Sequence, residues 1–468
     1  MSHYLNHYWA LYRQFMEVFK NLKYCDIPIA IMVNFYQLID EELKLTMEDE
    51  SFLLACNGSE LNQNEIQPYF ETWLEKIKLP AIDRNMRGKI LINYDYTRIP
   101  EETYQTLFNP DETMILTRSS KLQLHGIPTE FVKKYEETDD AIANKLTKNA
   151  THVFSKWQGH PAFENEFFQQ TFLNRIPTII KAIRTAFNLL DSVPISTIVV
   201  GTTEDMLSRA LAVVGAMKGI HSLCLQHGIL MGEEAFMPVF STVIGVYGEY
   251  EKEWYMARGM KEERIAEIGH PKYDPIFTAF QINREKFLSE FSLDPNKHTL
   301  LVITGPNIQA DRFEQLIGDL LENQDYQLII KPHPWEIGKG KYSQYLELME
   351  KYESIRVYTS RDNRLYELLS QVDGVLTTLS TVALEALLMN KPVFIYDFLV
   401  SNRPYQYYRQ LGEFLQEDPA KLTKVIKDYF SSDEMKERYN QIRKEYVSTL
   451  YINGTSGEKL LNSIQKNL

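Results

Sequence analysis

The chain of 468 residues has only three cysteines, Cys25, Cys56 and Cys224. They are too few and too scattered for a disulfide framework or a zinc cluster, and a reducing cytoplasm is the expected setting. Long apolar runs are missing as well: none approaches the ~18 residues of a membrane span. The opening Met-Ser-His-Tyr-Leu-Asn-His-Tyr has no basic stretch followed by an apolar one, so no secretory leader is expected. Positive charge is in deficit, with 50 Lys and Arg against 63 Asp and Glu and a net charge of −13. That balance argues against broad nucleic-acid binding, which needs a basic face. It leaves room for one local basic pocket around a phosphorylated ligand. The sequence contains no His-Glu-x-x-His spacing, no Asp-x-Asp pair at a strand end and no Cys cluster, so no metal and no cofactor are expected. A Walker-type Gly-x-x-x-x-Gly-Lys-Ser/Thr loop is also lacking, which makes ATP hydrolysis a poor reading.

What is present is ordinary globular usage, 44% hydrophobic and 24% charged, in a chain long enough for two or three domains. Aromatics are abundant, 28 Tyr and 24 Phe, and most are expected in the core. Short apolar runs alternate with helical stretches, which predicts parallel doubly wound sheets. The first half has strand-type runs at 89–94 and 113–117, then a long helical stretch near 139–190. Strands near 197–201, 222–225 and 242–247 follow, with helices at 205–218 and 249–258 between and after them. The second half repeats the pattern, with strands at 299–304, 326–331, 355–358, 372–379 and 392–396. Residues 269–296, which include Pro271, Pro275 and Pro295, form the best linker. Three segments are expected: an acceptor-side α/β domain over 1–275, a nucleotide-binding domain over 296–425, and helices over 426–468 that pack back on the first domain.

Two motifs in the second half carry the most chemistry. Lys331-Pro332-His333-Pro334 ends a buried strand. Ser380-Thr381-Val382-Ala383-Leu384-Glu385 follows another and opens a helix. In open α/β sheets ligands bind outside the carboxyl ends of the strands, and a helix N-terminus favours anions. Lys331, His333, Ser380 and Thr381 therefore read as walls of a phosphate pocket. Glu385 lies about one turn further in and is placed to reach a ribose diol. The plain alternatives are a strand-terminating turn at His333, ordinary helix caps at Ser380 and Thr381, and a salt bridge at Glu385. Gly305 and Asn307 end the first strand of this half, where a glycine-containing loop lets the backbone approach a donor.

In the first half, Gln226-His227-Gly228 follows the strand 222–225. His227 is the candidate base for an acceptor hydroxyl, because an imidazole accepts a proton near neutral pH. Its alternative is a satisfied structural histidine. Glu233 and Glu234 are rival bases, although a solvated loop charge is the expected role for either one. His270 is assigned to the connector. It joins Gln226, Gly228 and Arg403 as a candidate for lining the cleft.

These residues carry a family resemblance. Gln226-His227-Gly228, Lys331-Pro332-His333-Pro334 and Leu379-Ser-Thr-Val-Ala-Leu-Glu-Ala-Leu-Leu-Met-Asn-Lys-Pro-Val resemble motifs of the CDP-glycerol glycerophosphotransferases and of the capsule polysaccharide transferases. The resemblance spans roughly 195–400. It implies a GT-B architecture: two Rossmann-like doubly wound domains facing a cleft. It implies a transferase that takes a CDP-, CMP- or UDP-linked donor and passes a glycosyl or glycerophosphate group to a polysaccharide or lipid-linked acceptor. His333 then donates to the donor's pyrophosphate beside Lys331, and His227 acts on the acceptor. Two alternatives stand beside it, a non-hydrolysing sugar-nucleotide 2-epimerase and a non-catalytic nucleotide-sugar-binding or scaffold protein. Residues 4–23 are aromatic and partly basic. They are expected to form a helix packed on its own domain, with peripheral contact at the inner face of a membrane as the second reading.

Overall fold

The computed structural model describes residues 2–56, 58–79, 88–277, 283–306, 308–322, 324–362, 364–398, 406–452 and 454–466. Asn307 and Arg403 lie outside these. The chain divides into two compact units: residues 1–272 with 455–468, and residues 273–454.

Unit 1 is built on an eight-stranded sheet. Its strands are β1 (Lys89–Asn93), β2 (Thr113–Thr117), β3 (Gln123–Leu124), β4 (Ile127–Phe131), β5 (Ile195–Val200), β6 (His221–Leu225), β7 (Val243–Val246) and β8 (Ile265–Glu267). Their order in space is β8-β7-β6-β5-β1-β2-β4-β3, and every pairing is parallel except β3 with β4. β5, Ile-Ser-Thr-Ile-Val-Val, is buried at all six positions, as a parallel strand covered on both faces must be. The long helical stretch resolves into two helices, Asp140–Phe154 and Glu166–Ser192. Asn165 caps the second through a 2.8 Å bond from the Phe168 amide.

The first helix, His3–Phe19, buries Tyr8, Trp9, Tyr12, Phe15 and Phe19. These pack, mostly edge-on, against Phe35, Phe70, Phe154, Phe168 and Phe172 of the same unit. Its apolar face is thus spent on its own unit. The last helix, Ser456–Lys466, sends Leu460 and Ile464 into the core beside Ile90, Ile92, Tyr104 and Phe108. Among the described residues no helix is long and apolar enough to cross a membrane.

Unit 2 has six parallel strands: β9 (His298–Ile303), β10 (Tyr326–Lys331), β11 (Ile355–Val357), β12 (Gly374–Thr377), β13 (Val393–Tyr396) and β14 (Leu415–Gln416). Their spatial order is β11-β10-β9-β12-β13-β14. Taken in chain order within the unit this is 3-2-1-4-5-6, the order of a dinucleotide-binding sheet, and it reverses between β9 and β12. Helices Pro419–Ser431 and Asp433–Leu450 close this unit.

Candidate functional site

In unit 2 the crevice predicted by strand order lies outside the carboxyl ends of β9 and β12. The loops there are pressed together. A Cβ on Gly305 would lie 3.0 Å from Thr378 Cγ2, so glycine keeps the β9 loop close to the β12 loop. Thr378 is 5% exposed, and its Oγ1 has no hydrogen-bond partner among the described residues. A buried hydroxyl left in this condition costs free energy unless something supplies a partner. Tyr396 on β13 donates to Ile303 O at 2.8 Å and fixes the end of β9.

The helix Thr381–Leu388 starts at this point. Ser380 occupies the N-cap position, but its side chain makes no capping bond, contrary to the sequence expectation. Its Oγ lies 3.1 Å from Thr377 Oγ1 instead. The cap comes from the buried Tyr408, whose hydroxyl accepts from the Leu384 amide at 3.1 Å and donates to Ser380 O at 2.6 Å. Among the described residues the amides of Thr381 and Val382 remain without a partner, and both residues are partly exposed. They form the small positive end of the helix dipole, the kind of place that favours an anion. Glu385 is 5% exposed on the second turn of this helix.

His333 caps the helix Pro334–Lys339, with its Nδ1 accepting from the Trp335 amide at 3.1 Å. The bond leaves Nδ1 unprotonated, so neutral His333 carries its proton on Nε2, where it serves as an outward donor. Partial shielding from solvent lowers the His333 pKa below the ordinary imidazole value, with Glu336 opposing, so the ring is neutral near pH 7. Glu336 went unnoticed in the sequence, yet it organises this corner. Its carboxylate is 4% exposed and accepts from Thr304 Oγ1 (2.5 Å), the His333 amide (2.9 Å) and Tyr345 Oη (2.8 Å). The spacing His-Pro-Trp-Glu is the signal that could have found it, since an acid three residues after a cap completes a capping box. Lys331 stands apart from Ser380. On the far side of β10 it donates to Ser360 O at 3.0 Å and covers the Tyr358 ring at 4.8 Å. Burial lowers its pKa.

In unit 1, His227 follows β6 and stacks on Phe236, with ring centroids 4.8 Å apart and planes 16° apart. No hydrogen bond to either ring nitrogen occurs among the described residues, so a lone pair is available. Burial, and secondly the charge of Arg98, push its pKa down to about 4. His227 is therefore a neutral and weak base at pH 7. Gln226 is 1% exposed and donates from Nε2 to Gly228 O at 2.8 Å, clamping the turn that carries His227. Gly228 is not in the left-handed region. His270 is 1% exposed, accepts from the Lys272 amide on Nδ1 at 3.1 Å, and is held well below the usual pKa by burial. The charges of Lys272 and Arg98 lower it further, and His227 is close enough that its protonation would do the same, which brings the loops after β1, β6 and β8 into one neighbourhood.

Glu233 and Glu234 are not solvated loop charges, because both are 5% exposed. Glu233 accepts from Arg258 Nη2 (2.5 Å) and Trp9 Nε1 (2.7 Å), and Arg258 lies 3.5 Å over the Trp254 ring. This pair ties the first helix to the loop after β6, which a carboxylate free to move protons could not do. The expectation failed because Trp9 and Arg258 are remote in sequence. Arg98 was missed altogether. Its only sequence signal is its place in Tyr-Asp-Tyr-Thr-Arg, the loop that follows β1.

Residues 298–397, which span β9 to β13, match the model of a family described as capsule polysaccharide biosynthesis protein. The chain resembles enzymes of surface-polymer synthesis. The teichoic acid glycerol-phosphate primase of Bacillus subtilis (strain 168) is 26% identical over 224 residues, which is 44% of this chain and 52% of that protein. The chain thus matches about half the length of this curated relative. Among solved structures, UDP-GlcNAc 2-epimerase from Neisseria meningitidis bound to UDP-GlcNAc superposes with a TM-score of 0.54 at 10% identity, over 81% of this chain and 99% of the other. A glycosyltransferase from Rickettsia africae ESF-5 gives 0.51 at 10% identity over 81% and 99%. Anabaena Alr3699/HepE in complex with UDP and glucose gives 0.50 at 12% identity over 81% and 100%. At such identities the likeness is one of fold: α/β, with two Rossmann-like domains.

Proposed function

We propose that this chain is a transferase of cell-surface polymer synthesis, moving a glycosyl or glycerophosphate group from a nucleotide-activated donor to a hydroxyl acceptor. The observation that carries the reading is the corner of unit 2 where Gly305, Thr378, His333 and the open amides of Thr381 and Val382 meet a 3-2-1-4-5-6 switch point. That corner lies inside the segment that matches the capsule synthesis family. Kinship with a teichoic acid primase supports the same reading. The donor phosphates take the helix end and the His333 Nε2–H, and Glu385 takes the ribose.

In this reaction the acceptor oxygen attacks the donor's anomeric carbon or its glycerol-bearing phosphorus. The nucleotide leaves with the bonding pair, and the hydroxyl proton passes to His227. Charge on the departing phosphate is met by fixed amide dipoles and the imidazole donor, groups already aimed before the reaction begins. A CDP-, CMP- or UDP-linked donor, a polysaccharide or lipid-linked acceptor, peripheral membrane contact and independence from a cofactor complete the proposal.

The test is a thermal-shift series of the full chain with CDP-glycerol and with CMP-, UDP- and GDP-linked sugars, repeated on His333→Ala. A true donor at about 100 times its dissociation constant adds roughly 2.7 kcal/mol to stability. One nucleotide family should stabilise the chain, and His333→Ala should weaken that effect and slow turnover at least ~10-fold. Silence from every nucleotide removes the reading. Conversion of a sugar nucleotide without any acceptor replaces it with epimerisation.

A further inference from the structure

We propose that the loop 94–98 of unit 1 is the acceptor-recognition surface, with Arg98 binding a phosphate on the acceptor and Tyr94 and Tyr96 packing on its sugar or polyol faces. The inference rests on the transferase reading and narrows it, because the acceptor becomes a phosphate-bearing sugar or polyol rather than a neutral one.

Position is the first argument. Strand order in unit 1 reverses between β5 and β1, so the loops after these strands flank the sheet's own switch point. Backbone strain is the second. Tyr96 has φ 67° and Arg98 φ 49°, left-handed values that a bulky L-residue adopts at a cost of order 1–3 kcal/mol. The surroundings enforce them. Thr97 between the two is fully buried and donates to Tyr94 O at 3.0 Å. A Cβ on Gly201, just after β5, would overlap the Tyr96 carbonyl and the Thr97 amide. Arg118 binds Asp95 at 2.8 Å. The segment is thus locked with one residue turned in and its neighbours turned out.

The outward side chains are largely open to solvent. Tyr96 is 51% exposed and Tyr94 37% exposed. Tyr94 Oη lies 3.2 Å from Nε2 of His125, itself left-handed at φ 53°. Arg98 is exposed and makes no hydrogen bond or ion pair among the described residues. By contrast, Arg118, Arg209 and Arg258 of the same unit all have carboxylate partners. A cation on a fixed backbone, with no counter-ion among the described residues and two aromatic faces on the same loop, suits a phosphate attached to a ring or polyol.

The site also couples to His227. Arg98's charge is one of the two causes that depress that imidazole. A phosphate on Arg98 offsets the charge, so His227 gains basicity when an acceptor is present.

The experiment uses the full chain, with sn-glycerol 3-phosphate as probe and glycerol as the uncharged control. Ligand-observed NMR gives affinity, and labelled histidine gives the His227 titration. Glycerol 3-phosphate should bind at least about tenfold tighter than glycerol, and Arg98→Gln should erase that advantage. The probe should raise the His227 pKa in the unmodified chain and not in Arg98→Gln. Nucleotide affinity should be the same in both. Equal probe binding by the two chains overturns the proposal, as does no binding at millimolar probe. Loss of nucleotide affinity in Arg98→Gln also overturns it, since Arg98 would then serve the donor. A silent nucleotide series with an intact probe response removes the transferase reading and leaves this phosphate site standing.

Discussion

Unit 2 gathers its candidate chemistry from short contiguous motifs at neighbouring strand ends, whereas unit 1 gathers it from loops far apart in sequence. In unit 2, Thr304-Gly305, His333 and Thr378-Leu-Ser-Thr all lie within four residues of the end of a strand of one parallel sheet. In unit 1, His227 shares its surroundings with Arg98 and His270, and its loop hangs on Trp9 through Glu233. The difference teaches where a motif suffices. A phosphate needs amides and a donor at a strand end, which a few consecutive residues supply. A base needs a set electrostatic environment, and that is a property of the whole unit.

The sharpest way to break this comparison is His227→Ala. If unit 1 supplies the base, transfer should fall by ~10²–10⁴-fold, the usual contribution of a general base. Donor affinity should stay unchanged, because nothing in the nucleotide corner of unit 2 is touched. Single-turnover rates with titrated donor separate the two effects. A large loss of donor affinity with little change in rate would move His227 to the donor and erase the division of labour.

The same contrast explains what was legible in the sequence. Strands β9 to β13 were readable because parallel strands buried on both faces appear as continuous apolar runs, and the motifs sit where those runs stop. Ser380 was rightly placed at a helix start, but the capping hydroxyl comes from Tyr408, which no local pattern announces. Glu233 looked like a loop charge because its partners Trp9 and Arg258 are distant in the chain. Arg98 gave no signal because its interest lies in a left-handed φ and in the lack of a counter-ion among the described residues, both tertiary facts.

Glu233→Ala probes the scaffold of unit 1. It leaves the Arg258 guanidinium buried without its carboxylate, a loss expected to cost about 3–5 kcal/mol. A urea titration should show the earliest transition at clearly lower denaturant. Unchanged stability with lost activity would restore Glu233 as a candidate base.

The pH profile is a gentler test. As the proposed base His227 must act deprotonated, and its pKa of about 4 keeps it so across the neutral range. The value of kcat/KM, which reports the free enzyme, should therefore stay level on this group from pH 8 down to about 5 and fall as pH drops through about 4. An imidazole at its ordinary value would already have lost about tenfold by pH 5.5. If the acceptor's phosphate offsets Arg98, kcat should begin to fall at a higher pH than kcat/KM does.

Tyr408→Phe carries the smallest expected effect and tests whether unit 2 is as self-contained as its motifs suggest. The ring is fully buried and packs edge-on against Tyr407 and Tyr446, so phenylalanine keeps the packing and removes only the hydroxyl. That hydroxyl holds the Leu384 amide and Ser380 O at the start of the candidate phosphate-binding helix. Losing two such bonds, part of whose cost can be recovered by relaxation of the first turn, should weaken that alignment by about 1 kcal/mol. The donor KM should rise about fivefold while kcat changes little, because the proposed base, His227, belongs to unit 1. A fall in kcat at unchanged donor KM would mean that the helix acts chiefly on the leaving nucleotide. The same variant's stability serves as the control: a loss there that matches the loss of donor affinity would mark Tyr408 as a packing residue only.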